Sequence, residues 1–258
     1  MDILKNPHRG TGLDCPDLAE MPWPSIDAEK PTALVVRCPR AGATPLVESA
    51  DLARQAGIGA LLIKDERDRM GLGSFKALGA AYVIACDAEA GRARGQCYVT
   101  ASAGNHGLSV AAGAAAFGAR AIIYLAETVP EAFADRLRRE GAEVVRAGAT
   151  YEASMEAAQR AAEENGWQLL SDSSWAGYTT RPHRLMEGYL VLMQEVTRAM
   201  DAPTHIFLQA GVGGLAVACA ALARAAWGDA PQIVVVEPEA APALIASIRA
   251  GRPVETQG

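Results

Sequence analysis

The stretch Gln96-Cys97-Tyr98-Val99-Thr100-Ala101-Ser102-Ala103-Gly104-Asn105-His106-Gly107 packs a strand, a turn and a helix start into twelve residues. Gln96–Ala101 is a short apolar, β-branched run, as expected of a strand buried on both faces. Ser102 to Gly107 is small and polar, and His106–Phe117 continues as an Ala-rich helical stretch. Two readings of the turn stand side by side. It is an ordinary strand-to-helix connection with an Asn/Gly cap, or it is a backbone site where successive N–H groups at a helix start hold a carboxylate or phosphate.

The same succession runs outward in both directions. Short apolar runs predict strands at Ala33–Arg37, Ala60–Lys64, Ala119–Ala126, Glu143–Arg146, Gln168–Ser171, His205–Gln209 and Gln232–Glu237. Helical patterns lie between them at Ser74–Glu89, Val129–Glu140, Thr150–Asn165, Arg181–Met200, Gly214–Trp227 and Pro238–Ala250. Pro130 and Pro182 near helix starts, and Gly141, Gly166, Gly228 and Gly251 after helix ends, follow the usual start and stop asymmetry. Alternating strand and helix predicts an α/β protein with a parallel open sheet and right-handed crossovers. Ligands of such sheets bind beyond the carboxyl ends of the strands. The first thirty residues lack periodicity and read as an irregular arm.

Composition narrows the function. The 258 residues are half hydrophobic and 21% charged, with a net charge of −6. That is the balance of a globular chain rather than a disordered one. The acidic balance argues against general nucleic-acid binding. Cys15, Cys38, Cys86, Cys97 and Cys219 show no CxxC spacing and are odd in number, which points to a reducing cytoplasm rather than a disulfide framework. The N-terminus lacks the apolar core of a secretory leader, and no apolar run approaches the roughly 18 residues of a membrane span. No His, Cys or Asp stands at ligand spacing from His106, so no metal is expected.

Two further junctions carry candidate chemistry. Gly71-Leu72-Gly73-Ser74-Phe75-Lys76-Ala77-Leu78-Gly79 opens a helix with a lysine in its first turn, where the helix dipole disfavours a cation. Ser74 is the candidate N-cap. Small and apolar neighbours would desolvate the Lys76 amine, and both effects suit a lysine that bonds a carbonyl. The competing reading is an exposed lysine on an Ala-rich helix. Gln209-Ala210-Gly211-Val212-Gly213-Gly214-Leu215-Ala216 follows a strand and opens a helix, as a phosphate cradle does. It also matches the looser dinucleotide fingerprint through Gly211, Gly213 and Ala216, with Glu237 on the next strand. A third reading is a turn that only permits close packing.

Taken in order, a helix-start lysine, a Gly-Asn loop and a Gly-rich loop resemble the fold type II pyridoxal-phosphate enzymes, the tryptophan synthase β/threonine dehydratase group. The resemblance runs from about Thr44-Pro45-Leu46 to the end of the chain. Within the family the sequence most resembles the diaminopropionate ammonia-lyases. That likeness rests on Phe75 to Gly79, Gly104 to Gly107, Asp172-Ser173-Ser174-Trp175-Ala176-Gly177-Tyr178 and Met186-Glu187-Gly188-Tyr189.

The resemblance implies that pyridoxal 5'-phosphate is bound covalently by Lys76, with Asn105 beside its phenolic oxygen and Gly211, Val212, Gly213 and Gly214 around its phosphate. It implies a substrate-binding role for Ser102, Ala103, Gly104, Asn105, His106 and Tyr178. Asp172 is implied as a catalytic residue that touches the substrate's second amine or assists proton transfer.

The implied architecture is two lobes with the cofactor between them, the larger at 1–75 and 179–258 and the smaller at 76–178. The implied assembly is a homodimer acting on a small amino acid, with no nucleic-acid or membrane partner. Two departures are visible. Typical ammonia-lyases carry an Asp, associated with the D-isomer, where this chain has Ala103. The family's chains are also longer, so the larger lobe is expected to be incomplete and the pyridine-nitrogen partner to lie beyond Gly258.

Three activities compete on these grounds. The first is elimination of ammonia from a diaminopropionate-type diamino acid, giving a 2-oxo acid. The second is dehydration of L-serine, L-threonine or another hydroxy amino acid. The third is a shortened chain that is inactive or only dimerises.

Overall fold

The computed structural model describes residues 2–19, 21–254 and 256. The last residues of the expected larger lobe, Gln257 and Gly258, therefore lie outside the described residues, as does Met1. In chain order the elements are α1 (Glu29–Val35), β1 (Leu46–Glu48), α2 (Ala50–Ala56), β2 (Leu62–Lys64), α3 (Lys76–Glu89), β3 (Cys97–Ala101) and α4 (Asn105–Ala116). They continue as β4 (Arg120–Leu125), α5 (Glu131–Arg139), β5 (Glu143–Arg146), α6 (Tyr151–Asn165), β6 (Gln168–Leu169) and α7 (Thr180–Ala199). The last are β7 (His205–Gln209), α8 (Gly214–Trp227), β8 (Gln232–Val236) and α9 (Ala243–Ala250).

Four strands form a parallel sheet in the order β5-β4-β3-β6, and β7 pairs with β8, also parallel. β1 and β2 form a separate antiparallel pair. The architecture is the α/β arrangement with mainly parallel open sheets that the alternation predicts.

The central sheet shows why its strands read as continuous apolar runs. Successive side chains of a strand point to opposite faces. Tyr98 of β3 and Ala121, Ile123 and Leu125 of β4 pack with α3, α4 and α5. Cys97, Val99 and Ala101 of β3 and Ile122 of β4 pack on the other face against Ala158 and Ala162 of α6. Both faces are covered, so neither needs polar residues. A further cluster joins α1, α3, α7, β7 and α8 through Val35, Leu78, Tyr82, Tyr189, Leu208 and Cys219, among others. α3 contributes to that cluster and to the one beneath the sheet.

The structure differs from the expected elements in three places. Ala33–Arg37 is not a strand but lies in and just after α1. Pro31 and Val35, four apart, bury one face of that helix, and Thr32 Oγ1 donates to Gln194 Oε1 of α7 at 2.6 Å. Packing on α7 outweighs the strand preference of Val35-Val36. β1 and α2 occupy a region read without elements, although Gly57, at φ 67°, ends α2 in the left-handed conformation typical of a helix stop. Finally, Phe75 rather than Ser74 is the residue preceding α3. Ser74 still contributes, since its Oγ accepts from the Lys76 N–H at 3.3 Å.

Candidate active site

Two of the three junctions follow the carboxyl ends of β3 and β7, where an open parallel sheet puts chemistry, the third opens α3, and Asp172 follows β6. The loop after β3 is shaped by a close approach. A Cβ on Gly107 would stand 2.4 Å from the Ser102 carbonyl oxygen, so only glycine lets the first turn of α4 fold over that loop. Ser102 Oγ accepts from the Gly104 N–H at 3.3 Å, and Leu108, donating to Gly104 O at 3.2 Å, makes the first bond of the helix itself. Gly104 and Asn105 are exposed, Ser102 and Ala103 half-buried and His106 buried.

His106 ties this loop to the end of β6. Its Nε2 lies 2.8 Å from the Leu170 carbonyl oxygen, which fixes the proton on Nε2 and leaves Nδ1 as an acceptor. That Nδ1 is buried and has no hydrogen-bond partner. Burial depresses the His106 pKa below its ordinary value, despite the Asp172 carboxylate nearby.

Two residues beyond Leu170, the Asp172 carboxylate meets the Lys76 ammonium in an ion pair and short hydrogen bond. The lysine side chain is 22% exposed and the aspartate 15%, so the pair sits in a cleft rather than on open surface. Burial works against ionisation of Asp172. The charge of His106 when it is protonated, together with the Lys76 ammonium, outweighs it and holds the carboxyl below its ordinary pKa. The amine also lies 5.6 Å from the centre of the Phe75 ring, within cation–π range.

Tyr178, expected at the substrate, has its hydroxyl committed to the backbone. It accepts from the Ser171 N–H and donates to Leu169 O, both at 3.0 Å, while its ring stacks on Trp175 at 4.4 Å. This clamp holds the turn that presents Asp172.

The Gly-rich loop after β7 is an open set of donors. Gly213 takes φ 95°, a left-handed conformation that favours glycine, and a Cβ on Gly211 or Gly213 would meet nothing within 4 Å. The first bond of α8 is Val217 N–H to Gly213 O at 3.0 Å. The N–H groups from Gly211 to Ala216 have no hydrogen-bond partner among the described residues. Such a row of free amides at a helix start suits a phosphate. An amine, a loop of free amides and the buried, unpartnered Tyr189 hydroxyl together fit the donor set that a phosphorylated pyridine aldehyde requires. Among the described residues no group of His, Cys, Asp and Glu is arranged to hold a metal.

Two features of the site were not assigned from sequence. One is Tyr189, whose motif Met186-Glu187-Gly188-Tyr189 gives it no role by itself. The other is a buried ionic network just before the lysine loop. Arg69, 2% exposed, donates bidentately to Glu66 at 2.7 Å and to Glu195 of α7 at 2.8 and 2.9 Å, and also to Gly42 O and Thr44 Oγ1 at 2.8 Å. Lys64 joins it through Glu195. Charge at Arg69 and Glu66 was visible in the sequence, but their partner on α7 was not.

The family model of pyridoxal-phosphate dependent enzymes matches residues 38–258. A diaminopropionate ammonia-lyase of Salmonella typhimurium is 32% identical over 237 residues, covering 82% of this chain and 59% of that protein. A biosynthetic L-threonine dehydratase of Burkholderia multivorans is 33% identical over 186 residues, covering 70% of this chain and 35% of that one. A crystal structure of the Escherichia coli diaminopropionate ammonia-lyase with an aminoacrylate-PLP azomethine reaction intermediate superposes with a TM-score of 0.81. It is 30% identical and covers 90% of this chain and 66% of that one. The chain thus spans about half to three fifths of the length of the curated ammonia-lyases it matches.

Proposed function

The chain belongs to the pyridoxal-phosphate-dependent enzymes, and on that premise we propose that it serves α,β-elimination of ammonia from a small diamino acid of the diaminopropionate type, leaving a 2-oxo acid. The observation that carries this reading is the Lys76–Asp172 ion pair, and the unpartnered amides of Gly211 to Gly214 support it. Pyridoxal phosphate, when bound, supplies an electron sink conjugated to the substrate's α-carbon.

The chain's own residues then divide the work. Lys76 would hold the cofactor, and its free Nζ would take the substrate's α-proton. Asp172, held ionised, attracts the substrate's second ammonium and keeps the Lys76 amine in place between steps. The N–H groups at the start of α4, with Ser102 and Asn105, receive the substrate carboxylate. The amides of Gly211, Val212, Gly213 and Gly214, backed by the α8 N-terminus, balance the phosphate charge. Asn105 orients the cofactor ring.

Ala103 bears no titratable group, so proton removal is left to the Lys76 side, which favours an L-configured substrate. The same feature supports a second reading, dehydration of L-serine or L-threonine, which the match to a threonine dehydratase also favours. The two-lobe division at 76–178 and a homodimeric assembly belong to the proposal as well.

The test is an absorption spectrum of the purified chain with added pyridoxal phosphate beside a Lys76→Ala control. A lysine-linked visible band in the wild type and none in the variant is the expected result. Product assays with L-diaminopropionate, L-serine and L-threonine then separate the two substrates. A wild-type chain with no band removes the cofactor reading.

A further inference from the structure

Tyr189 sits in the middle of α7, and its ring fills the slot between the first turns of α3 and α8. A Cβ on Gly79, one turn past Lys76, would fall 2.7 Å from Tyr189 Cε1 and 3.0 Å from its Cζ. On the opposite edge, Cε2 would stand 3.7 Å from a Cβ on Gly214, the first residue of α8. Phe75, the residue before Lys76, meets the same ring edge-on at 5.1 Å and 77°. One aromatic ring therefore touches both the helix that carries the lysine and the helix that begins at the Gly-rich loop.

The ring is fully used in packing, but its hydroxyl is not. Tyr189 is 2% exposed, and its hydroxyl is buried without a hydrogen-bond partner. Phenylalanine would fill the slot equally well without stranding a polar atom, so packing alone does not account for tyrosine. Burial, and after it the charge of Asp172, push the phenol pKa upward. The hydroxyl therefore stays protonated and can donate. It makes no hydrogen bond to Asp172, whose carboxylate is engaged by Lys76.

We propose that Tyr189 is a cofactor-binding residue, its hydroxyl donating a hydrogen bond to the phosphate of pyridoxal phosphate seated on the Gly211–Gly214 amides. This rests on the function proposed above. A phosphate offers only acceptors, and a protonated phenol beside the first residue of α8 is the complementary donor. The hydroxyl adds a side-chain donor to a site otherwise made of backbone N–H groups. It also couples phosphate occupancy to the packing of the lysine helix, because the same ring bears on Gly79 and Phe75.

The experiment compares wild type with Tyr189→Phe, which keeps the ring and removes one oxygen. Both are titrated with pyridoxal phosphate and, separately, with pyridoxal, which lacks the phosphate, following the lysine-linked absorbance band. Cofactor-free melting temperatures are measured alongside. The expected result is a Kd for pyridoxal phosphate raised about ten- to a hundredfold, as for a hydrogen bond to a charged group. Pyridoxal binding is expected to stay within about twofold, with an unchanged or higher cofactor-free melting temperature. An unchanged Kd for pyridoxal phosphate, or an equal loss with both aldehydes, overturns the assignment. A lower cofactor-free melting temperature does so too, since it would mean that the hydroxyl already has a partner within the protein. If the wild type forms a band with neither aldehyde, the cofactor reading falls and this inference with it. If the wild type binds both and Tyr189→Phe binds identically, only this inference falls.

Discussion

Asp172 and Lys76 form an ion pair in which each group limits the other. The carboxylate and the ammonium neutralise one another in a cleft, and the positive charge beside Asp172 outweighs the effect of its burial and holds its carboxyl below the ordinary pKa. Asp172→Asn preserves the shape and removes the charge. We expect it to retain the lysine-linked cofactor band while elimination slows by about two orders of magnitude or more, the range for a lost acid–base group. Ammonia release measured at saturating cofactor checks this, and a full rate in the variant would remove Asp172 from the reaction.

His106 gives a pH prediction with a definite sign. Its folded pKa lies below the ordinary 6.5, so between the two values the unfolded chain binds the extra proton and the folded chain does not. The stability owed to a neutral His106 is therefore complete above 6.5 and is lost as pH falls through the window beneath it. Urea midpoints measured downward from pH 7.5 should decline more steeply in the wild type than in His106→Gln. Parallel declines would show that another group dominates.

At the scale of elements, the site depends on short connections whose geometry is set by contacts far along the chain. Gly107 allows α4 to fold back over the β3 loop. Gly107→Ala places a methyl 2.4 Å from Ser102 O, against backbone that has little room to yield. A cost of about 1–3 kcal/mol is expected, with weakened cofactor binding because the Ser102–Asn105 loop must shift. Thermal melts with and without cofactor read both effects.

The Arg69 network anchors the other connection. It fixes residue 69 to α7, and the next residues, Met70 at φ 53° and Gly71 at φ 70°, turn the chain toward Lys76. Removing Arg69 leaves Glu66 and Glu195 without their main cation. Arg69→Ala should destabilise by about 3–5 kcal/mol, as breaking a buried ion pair does. A guanidinium chloride midpoint near the wild-type value would show the network to be dispensable.

These elements also show what was legible in the sequence. β5 and β7 keep the expected bounds at 143–146 and 205–209, and α8 keeps 214–227, because periodicity and a terminal glycine are local signals. α1 is not legible in the sequence because its helicity comes from burying Pro31 and Val35 in the packed core. The Arg69–Glu195 pairing, 126 residues apart, was hidden for the same reason: only the topology brings the partners together. Tyr189 had a visible motif but no visible role, since an unpartnered hydroxyl is a property of the packed state alone.

Across the whole molecule, the described residues bury three apolar clusters, and α3 is common to two of them. The β7–β8 pair is less well covered, with Phe207 64% and Val236 49% exposed. The residues proposed for the cofactor lie on the elements that join these parts: Lys76 on α3, Asn105 on α4 and the glycines at the start of α8. A ligand held by all three binds the folded chain and has no comparable site in the unfolded one. Its binding energy is therefore added to folding by mass action. At a cofactor concentration a hundred times the Kd the gain is about 2.7 kcal/mol, and for a chain of this size that corresponds to a melting temperature roughly 5–10 °C higher.

Lys76→Ala should lose most of that shift, and pyridoxal, which cannot engage the Gly211–Gly214 amides, should give a smaller one. Scanning calorimetry of the wild type across a cofactor series tests the linkage directly. A melting temperature that does not move with saturating pyridoxal phosphate would mean that the three elements do not share one ligand, whatever the absorbance of the mixture.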